Sequence, residues 1–146
     1  MNGYCHTQKG IIRPILLVVT VAFLAGARFV GTYPTLPIYL ASAGVCVVMS
    51  FAFGHLTVRD DGDRLVLSFG PLTLFRKTIS YSQITHLEKD RSTFLAGWGI
   101  HWTRKGWLWN IGGYDCVKIQ TGNKSTLIGT DDPDGLLSFL KSRTGR

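Results

Sequence analysis

The hydrophobic pattern changes character once along the chain, near position 54. From Ile11 to Gly54 the apolar residues run almost unbroken; from His55 onward they alternate with polar ones. The stretch Pro14 to Ala27 reads PILLVVTVAFLAGA and carries no charge. With Ile11, Ile12, Phe29 and Val30 it reaches about 20 residues, the length that spans a bilayer core. Arg13 and Arg28 fall near its ends, where long side chains snorkel to the headgroups. From Phe29 to Gly54 there is again no charge. Within it, GTYPTLP is expected to be a loop, with Pro34 and Pro37 as helix breakers and Tyr33 as an interfacial aromatic. Ile38 to Gly54 then forms a second helix, short for a full span unless Leu36 and Leu56 are included. The expected spans are residues 11–31 and 37–54, about one bilayer thickness each. Small residues Ala41, Ser42, Ala43 and Gly44, set against Gly26 and Ala27, would let the helices approach closely.

Two other readings of this region stay open. In a cleaved signal peptide, Lys9 and Arg13 supply the charged start, Ile15–Leu24 the apolar core and Ala25-Gly26-Ala27 the small-residue cleavage site. The second segment would remain a membrane helix. Two buried helices of a soluble fold would need a polar face, and neither segment has one.

Beyond Gly54 the alternation predicts a series of short strands. These are His55–Arg59, Arg64–Gly70, Leu74–Ser80, Ser82–Asp90, Phe94–Thr103, Trp107–Ile111, Cys116–Gln120 and Ser125–Gly129. Asp60-Asp61-Gly62-Asp63 forms the first turn, and Arg104-Lys105-Gly106, Gly112-Gly113 and Thr121-Gly122-Asn123-Lys124 form later ones. Asp132-Pro133 then supplies an N-cap and a proline at the first helical position. Leu136, Leu137, Phe139 and Leu140 follow at helical spacing, and Lys141 and Arg143 suit the negative end of the helix dipole. The expected fold is α+β. A two-helix transmembrane hairpin (domain 1–54) precedes antiparallel strands closed by one C-terminal helix (domain 55–146).

Charge sharpens this division. The chain has 146 residues and a net charge of +7, yet all nine acidic residues lie after position 59. Before that, only Lys9, Arg13 and Arg28 are charged. A charged fraction of 17% is low for a soluble domain, which carries about 25%. A hairpin puts both termini on one side. Lys9, Arg13, Arg59, Arg64, Arg76 and Lys77 lie there, against Arg28 alone at the edge of the connecting loop, so the positive-inside rule places the C-terminal domain in the cytoplasm. Cys5, Cys46 and Cys116 fit no paired pattern and are expected as free thiols.

Three runs carry a resemblance: GWGIHW (Gly97–Trp102), GWLWNIGGYDCVKI (Gly106–Ile119) and IGTDDPDGLLSFL (Ile128–Leu140). With the strand-rich layout and single closing helix, the chain from Leu56 to Leu140 resembles the bacterial pleckstrin-homology (PH) domain family, whose members are often attached to transmembrane helices. The strand–Gly-Thr-Asp-Asp-Pro–helix motif is its most specific part. The resemblance implies a PH-like β-barrel or sandwich capped by one helix, without enzymatic activity, in an integral protein of the bacterial inner membrane. Eukaryotic PH domains often bind phosphoinositides through a Lys/Arg cluster in the first hairpin. Here the matching turn is Asp60-Asp61-Gly62-Asp63 with only Arg59 and Arg64 beside it, which argues against that ligand.

Trp98, Trp102, Trp107 and Trp109 crowd into twelve positions. Alternation puts Trp98, Ile100 and Trp102 on one strand face and Trp107 and Trp109 on another. They either build the core or form an aromatic patch, with Arg104 and Lys105 at the hairpin tip touching headgroups. His6, His55, His86 and His101 show no metal-binding spacing. Gly122-Asn123-Lys124-Ser125 lacks the upstream glycine of a phosphate loop and reads as a hairpin turn; Asn123-Lys124-Ser125 is a glycosylation acceptor only in a glycosylating lumen. Asp131, Asp132 and Asp134 suit a helix start, and Glu88 and Asp90 alternate with Lys89 and Arg91 as on a solvated strand. No nucleophile–base set comes with a recognisable motif.

The expectation is therefore a non-enzymatic module for protein interaction or scaffolding at the membrane, with no cofactor, metal, nucleic acid or small-molecule substrate. Its partners would be the lipid bilayer and a membrane protein or a second copy of itself. Candidate contacts are Arg59, Arg76, Lys77, Trp98, Trp102, Arg104, Lys105 and Trp107. The alternative is a domain that reads anionic lipid headgroups through Arg59, Arg76, Lys77, Arg104 and Lys105.

Overall fold

Strand pairing starts before the first helix. In the computed structural model, which describes residues 3–29, 35–71, 75–93 and 96–145, Cys5–Lys9 forms β1, antiparallel to β2 (His55–Asp60), with Cys5 opposite Arg59 and Lys9 opposite His55. The sequence CHTQK offers no apolar alternation, and its one buried side chain is Gln8. Tertiary pairing recruits this strand, as context often does for β structure. The N-terminal tail thus belongs to the strand domain. The two helices, α1 (Ile12–Phe29) and α2 (Leu36–Ala52), are an insertion between neighbouring strands.

The insertion is fastened at its base. The Gly10 amide donates to the Gly54 carbonyl at 3.1 Å, joining the two necks. Phe53 packs its ring 5.4 Å from both Phe69 and Phe75. Gly70, at φ 62°, leaves so little room that a Cβ would come within 2.6 Å of the Phe51 and Ala52 carbonyl oxygens. Between the helices, a Cβ on Gly26 would meet the Tyr39 ring at 2.6 Å, and Phe23 meets the same ring edge-on. Ala43 is buried, but Gly44 has nothing within 4 Å of a Cβ and Ala41 is exposed. The small residues therefore do not form one contact stripe: Gly26 and Ala43 lie inside, Ala41 and Gly44 outside. Pro37 sits in the first turn of α2, where its missing N–H costs nothing. It opens the helix instead of breaking it. Thr35 and Leu36 of the expected loop likewise belong to the start of α2, and residues 31–34, including Tyr33 and Pro34, lie outside the described residues. Thr20 and Ser50 return their hydroxyls to the Leu16 and Val47 carbonyls at 2.8 Å, so each of these two donors is satisfied within its own helix. Helix α1 is long and apolar enough to cross a membrane; α2 is apolar but, at 17 residues, shorter.

After β2 the chain meanders through β3 (Arg64–Phe69) and β4 (Phe75–Ser80), giving a four-stranded sheet in the order β1-β2-β3-β4. A single 3-10 turn (Tyr81–Gln83) leads to β5 (Ile84–Arg91) and the second sheet, completed by β6 (Gly99–Thr103), β7 (Gly106–Asn110), β8 (Asp115–Thr121) and β9 (Lys124–Gly129) in the order β5-β8-β9-β7-β6. Strand β6 starts at Gly99, because Gly97 and Gly99 hold positive φ; Phe94 and Leu95, expected in that strand, lie outside the described residues, as does Leu74. The strands are not all antiparallel, since β7 and β9 pair in parallel, Trp107 beside Thr126 and Trp109 beside Ile128. Nor do they close a barrel: among the described residues the ladders form two separate sheets.

The sheets face each other across one core. Leu56, Val58, Leu65, Leu67, Phe69 and Ile79 come from the first, and Trp109, Ile111, Val117, Ile119 and Ile128 from the second. Helix α3 (Pro133–Thr144) covers the opening with Leu136 and Leu140, both 0% exposed. Each such leucine contributes about 1.5–3 kcal/mol of burial. Asp132 caps α3 by accepting from the Gly135 amide at 3.0 Å, and Gly145 ends it in the left-handed conformation. On its outer side α3 is tied down by Tyr4, whose ring stacks on Phe139 at 5.2 Å and whose hydroxyl donates to Asp132 at 3.3 Å.

Candidate interaction site

The two sheets do not cover each other fully. The first sheet ends at β4, while the second continues through β7 to β6. Alternation places Phe75, Lys77 and Ile79 on one face of β4, and Ile79 belongs to the core. Lys77 thus points inward, opposite Leu67 in register, at the edge of the sheet. On β9 the same alternation aligns Lys124, Thr126 and Ile128 on the inner face. Across the ladders, Trp102 stands opposite Trp107, which stands beside Thr126. These residues meet in an open seam between the sheets, a cleft of about 380 Å³.

Its electrostatics are one-sided. The Lys77 ammonium donates to the Thr126 hydroxyl at 2.8 Å. Among the described residues, neither Lys77 nor Lys124 has a carboxylate in ion-pair contact. Burial, and behind it repulsion from the Lys124 charge, hold the Lys77 amine below the ordinary lysine range. Trp102 and Trp107, 67% and 43% exposed, form one wall, their rings edge-to-face with centroids 5.7 Å apart. They are inner-face residues that the described strands of the first sheet leave exposed. Trp109, two positions further along β7, is covered and packs 5.7 Å from Phe69.

Of the residues singled out from sequence, Lys77, Trp102 and Trp107 come together here; the others do not. Trp107 shares its face with Trp102, not an opposite one, because the hairpin register sets them directly across from each other. Trp98 precedes β6, half-exposed, and takes no part in that face. Arg59 and Arg76 are exposed on the outer face of their sheet, opposite Cys5 and Ser68. Arg104 is exposed in the β6–β7 turn. Lys105, beside it, is held by Asp90 at 2.5 Å. Partial burial works to raise the Asp90 carboxyl, but the Lys105 ammonium and the Arg91 amide together hold it below the ordinary range. The sequence reading missed Lys124 and Thr126, treating Lys124 as part of a turn. The signal was present in KSTLIG, whose alternation aligns them with the core residue Ile128.

The two walls of the cleft differ in their distance from the helix necks: Lys77 is two residues from Phe75, which stacks on Phe53 at the neck, whereas the tryptophan wall stands further back. Strand β7 runs toward them, and Ile111 touches the space beside Gly10. Trp107 lies four residues earlier, about 13 Å back along the strand. The Arg104–Lys105 tip is further still.

Among the described residues no group of three or more His, Cys, Asp or Glu side chains could hold a metal ion. Cys116 is buried, and burial pushes its thiol up, away from reactivity. No known family model matches the chain, and no curated protein matches it.

Proposed function

We propose that this chain is a non-enzymatic, membrane-anchored PH-like module for protein interaction at the inner membrane. The helix hairpin lies in the bilayer, and the strand domain lies on the cytoplasmic face. The observation that carries this reading is the outer surface of the hairpin. Twelve large apolar side chains of α1 and α2, among them Val18, Val21, Val45 and Val48, are exposed. Leaving them in water would cost on the order of ten kcal/mol or more, and a bilayer removes that cost. The PH-like assignment is supported by the packed strands closed by α3. The orientation is supported by Lys9 and Arg13 at the necks.

Two native thiols test the topology. Cys5 is exposed on β1, and Cys46 lies within α2. A membrane-impermeant maleimide added to intact cells should leave both unlabelled, and after lysis without detergent it should label Cys5 alone. Labelling of Cys5 in intact cells would place the domain outside. Labelling of Cys46 without detergent would take α2 out of the bilayer.

Headgroup recognition is a second reading. Arg76 favours it, because it is exposed one residue from Phe75, which stacks against Phe53 at the neck. Binding of anionic vesicles to the neutral-lipid-reconstituted chain, falling steeply with salt and lost in Arg76→Gln, would support it.

A further inference from the structure

Lys77 is an anomaly for a residue on the inner face of a sandwich. Leu67 lies opposite it in the ladder and Phe75 and Ile79 flank it on the same strand face, yet it carries a charge. Within hydrogen-bond reach it finds a hydroxyl, Thr126, and nearby a second ammonium, Lys124. A half-buried ammonium, Lys77, and an exposed one, Lys124, border the same seam, and among the described residues neither has a carboxylate in ion-pair contact, so the seam favours an anion. Three further features describe the anion's carrier. The Trp102–Trp107 wall beside the lysines offers an apolar, aromatic surface at low entropic cost. Strand β4 is the last strand of its sheet, so among the described residues one side of its backbone has no ladder partner. The seam itself lies between β4 on one side and Trp102, Trp107 and the start of β9 on the other.

We propose that this seam receives an extended acidic segment of a protein partner, which adds to the free edge of β4. One of its carboxylates would sit between Lys77 and Lys124, and a neighbouring apolar side chain would lie on Trp102 and Trp107. The mode is strand addition: main-chain hydrogen bonds give affinity, and alternate side chains give specificity. The edge of β4 favours a protein segment over a lipid headgroup, which has no main-chain N–H and C=O groups to pair with it. This deepens the interaction-module reading and rests on it, naming the chemistry of the partner.

The test uses the full chain in nanodiscs of neutral phosphatidylcholine, titrated with a short synthetic peptide alternating glutamate and valine. Binding is read by calorimetry and by tryptophan fluorescence. Saturable binding that weakens with salt, and its absence for the matching lysine–valine peptide, is the expected result. Lys77→Met should weaken the acidic peptide about ten-fold or more, the scale of a lost charge-assisted hydrogen bond. The same change should raise the thermal midpoint, because it removes an uncompensated charge from the seam. No peptide binding, or unchanged affinity in Lys77→Met, overturns the proposal. So does aggregation of Lys77→Met with unchanged affinity in its soluble fraction, which would make the lysine only a guard of the free edge. Tryptophan quenching by phosphatidylglycerol vesicles and not by the peptide would overturn it in favour of lipid. In-cell crosslinking to a protein that persists undiminished in Lys77→Met/Lys124→Met would overturn the cleft and leave the module reading standing. Labelling of Cys46 without detergent would overturn the membrane reading and leave the peptide titration intact.

Discussion

Arg143, in the last turn of α3, forms an ion pair with Asp60 at the end of β2, and the Asp60 side chain is only 4% exposed. The same carboxylate accepts from the Tyr81 hydroxyl at 2.7 Å, and the Arg143 guanidinium lies 5.4 Å from the Phe139 ring centroid. The acidic first turn is therefore partly an internal device: Asp60 ties the closing helix to the first sheet, while Asp61 and Asp63 face solvent. Removing one partner of a buried pair leaves the other uncompensated. Arg143→Met should cost about 3 kcal/mol of domain stability in urea unfolding. In the double variant with Asp60→Asn the loss should be smaller than the sum of the two single losses.

Gly70 and Gly44 make a matched pair of tests for the helix insertion. Gly70 has positive φ and faces two backbone carbonyls of α2, neither of which can move aside cheaply. Gly70→Ala should cost more than about 2 kcal/mol, combining left-handed strain with the collision. Gly44→Ala meets open space and should leave stability in detergent micelles unchanged or slightly raised, since alanine favours the helix. Equal effects of the two changes would mean that α2 does not dock on the strand domain at Gly70.

The two apolar helices and the closing helix were legible in the sequence because their signals are local: uncharged runs in one case, an Asp-Pro cap with leucines at helical spacing in the other. Most of the strands were legible from alternation. Strand β1 was not, because CHTQK carries no apolar face and exists only by pairing with β2, some fifty residues away. The parallel β7–β9 pair was not, because register between distant strands has no local mark. The cleft was half legible. Lys77, Trp102 and Trp107 stood out by chemistry, but their meeting depends on where the first sheet stops. Lys124 looked like a turn residue until β9 placed it on the inner face.

Lys77 also makes stability depend on pH in a definite direction. Its folded pKa lies below the ordinary lysine value, so between the two values the unfolded chain binds more protons than the folded one. Stability should therefore rise as pH climbs through the folded value toward about 10.5, the unperturbed lysine pKa. Below the folded value the penalty is fully present. Lys77→Met should flatten this alkaline rise, measured as the urea midpoint against pH relative to the parent chain. A rise of the same slope in Lys77→Met would assign it to another group.

The strand domain should survive excision of its helices, but not removal of its first strand. Gly10 and Gly54 are joined by a backbone hydrogen bond, so their chain ends already stand a hairpin's width apart. Replacing residues 11–53 with a short glycine-rich turn links β1 to β2 as an ordinary hairpin, for which two to five residues or so suffice. The core residues Leu56, Leu67, Ile119, Leu136 and Leu140 all lie outside the excised segment, although loss of Phe53, which packs against this core, uncovers part of Phe69 and Phe75. The shortened chain should be monodisperse in water without detergent and show a cooperative unfolding transition. A fragment beginning at His55 lacks β1. It bares the edge of β2 and loses the Tyr4 stacking on Phe139 and the Gln8 bond to the Gly112 carbonyl. It should unfold at lower urea and aggregate through the exposed edge. Equal stability of the two molecules would show that β1 adds nothing to the domain. A shortened chain that still requires detergent would mean that the exposed apolar surface of the protein is not confined to α1 and α2.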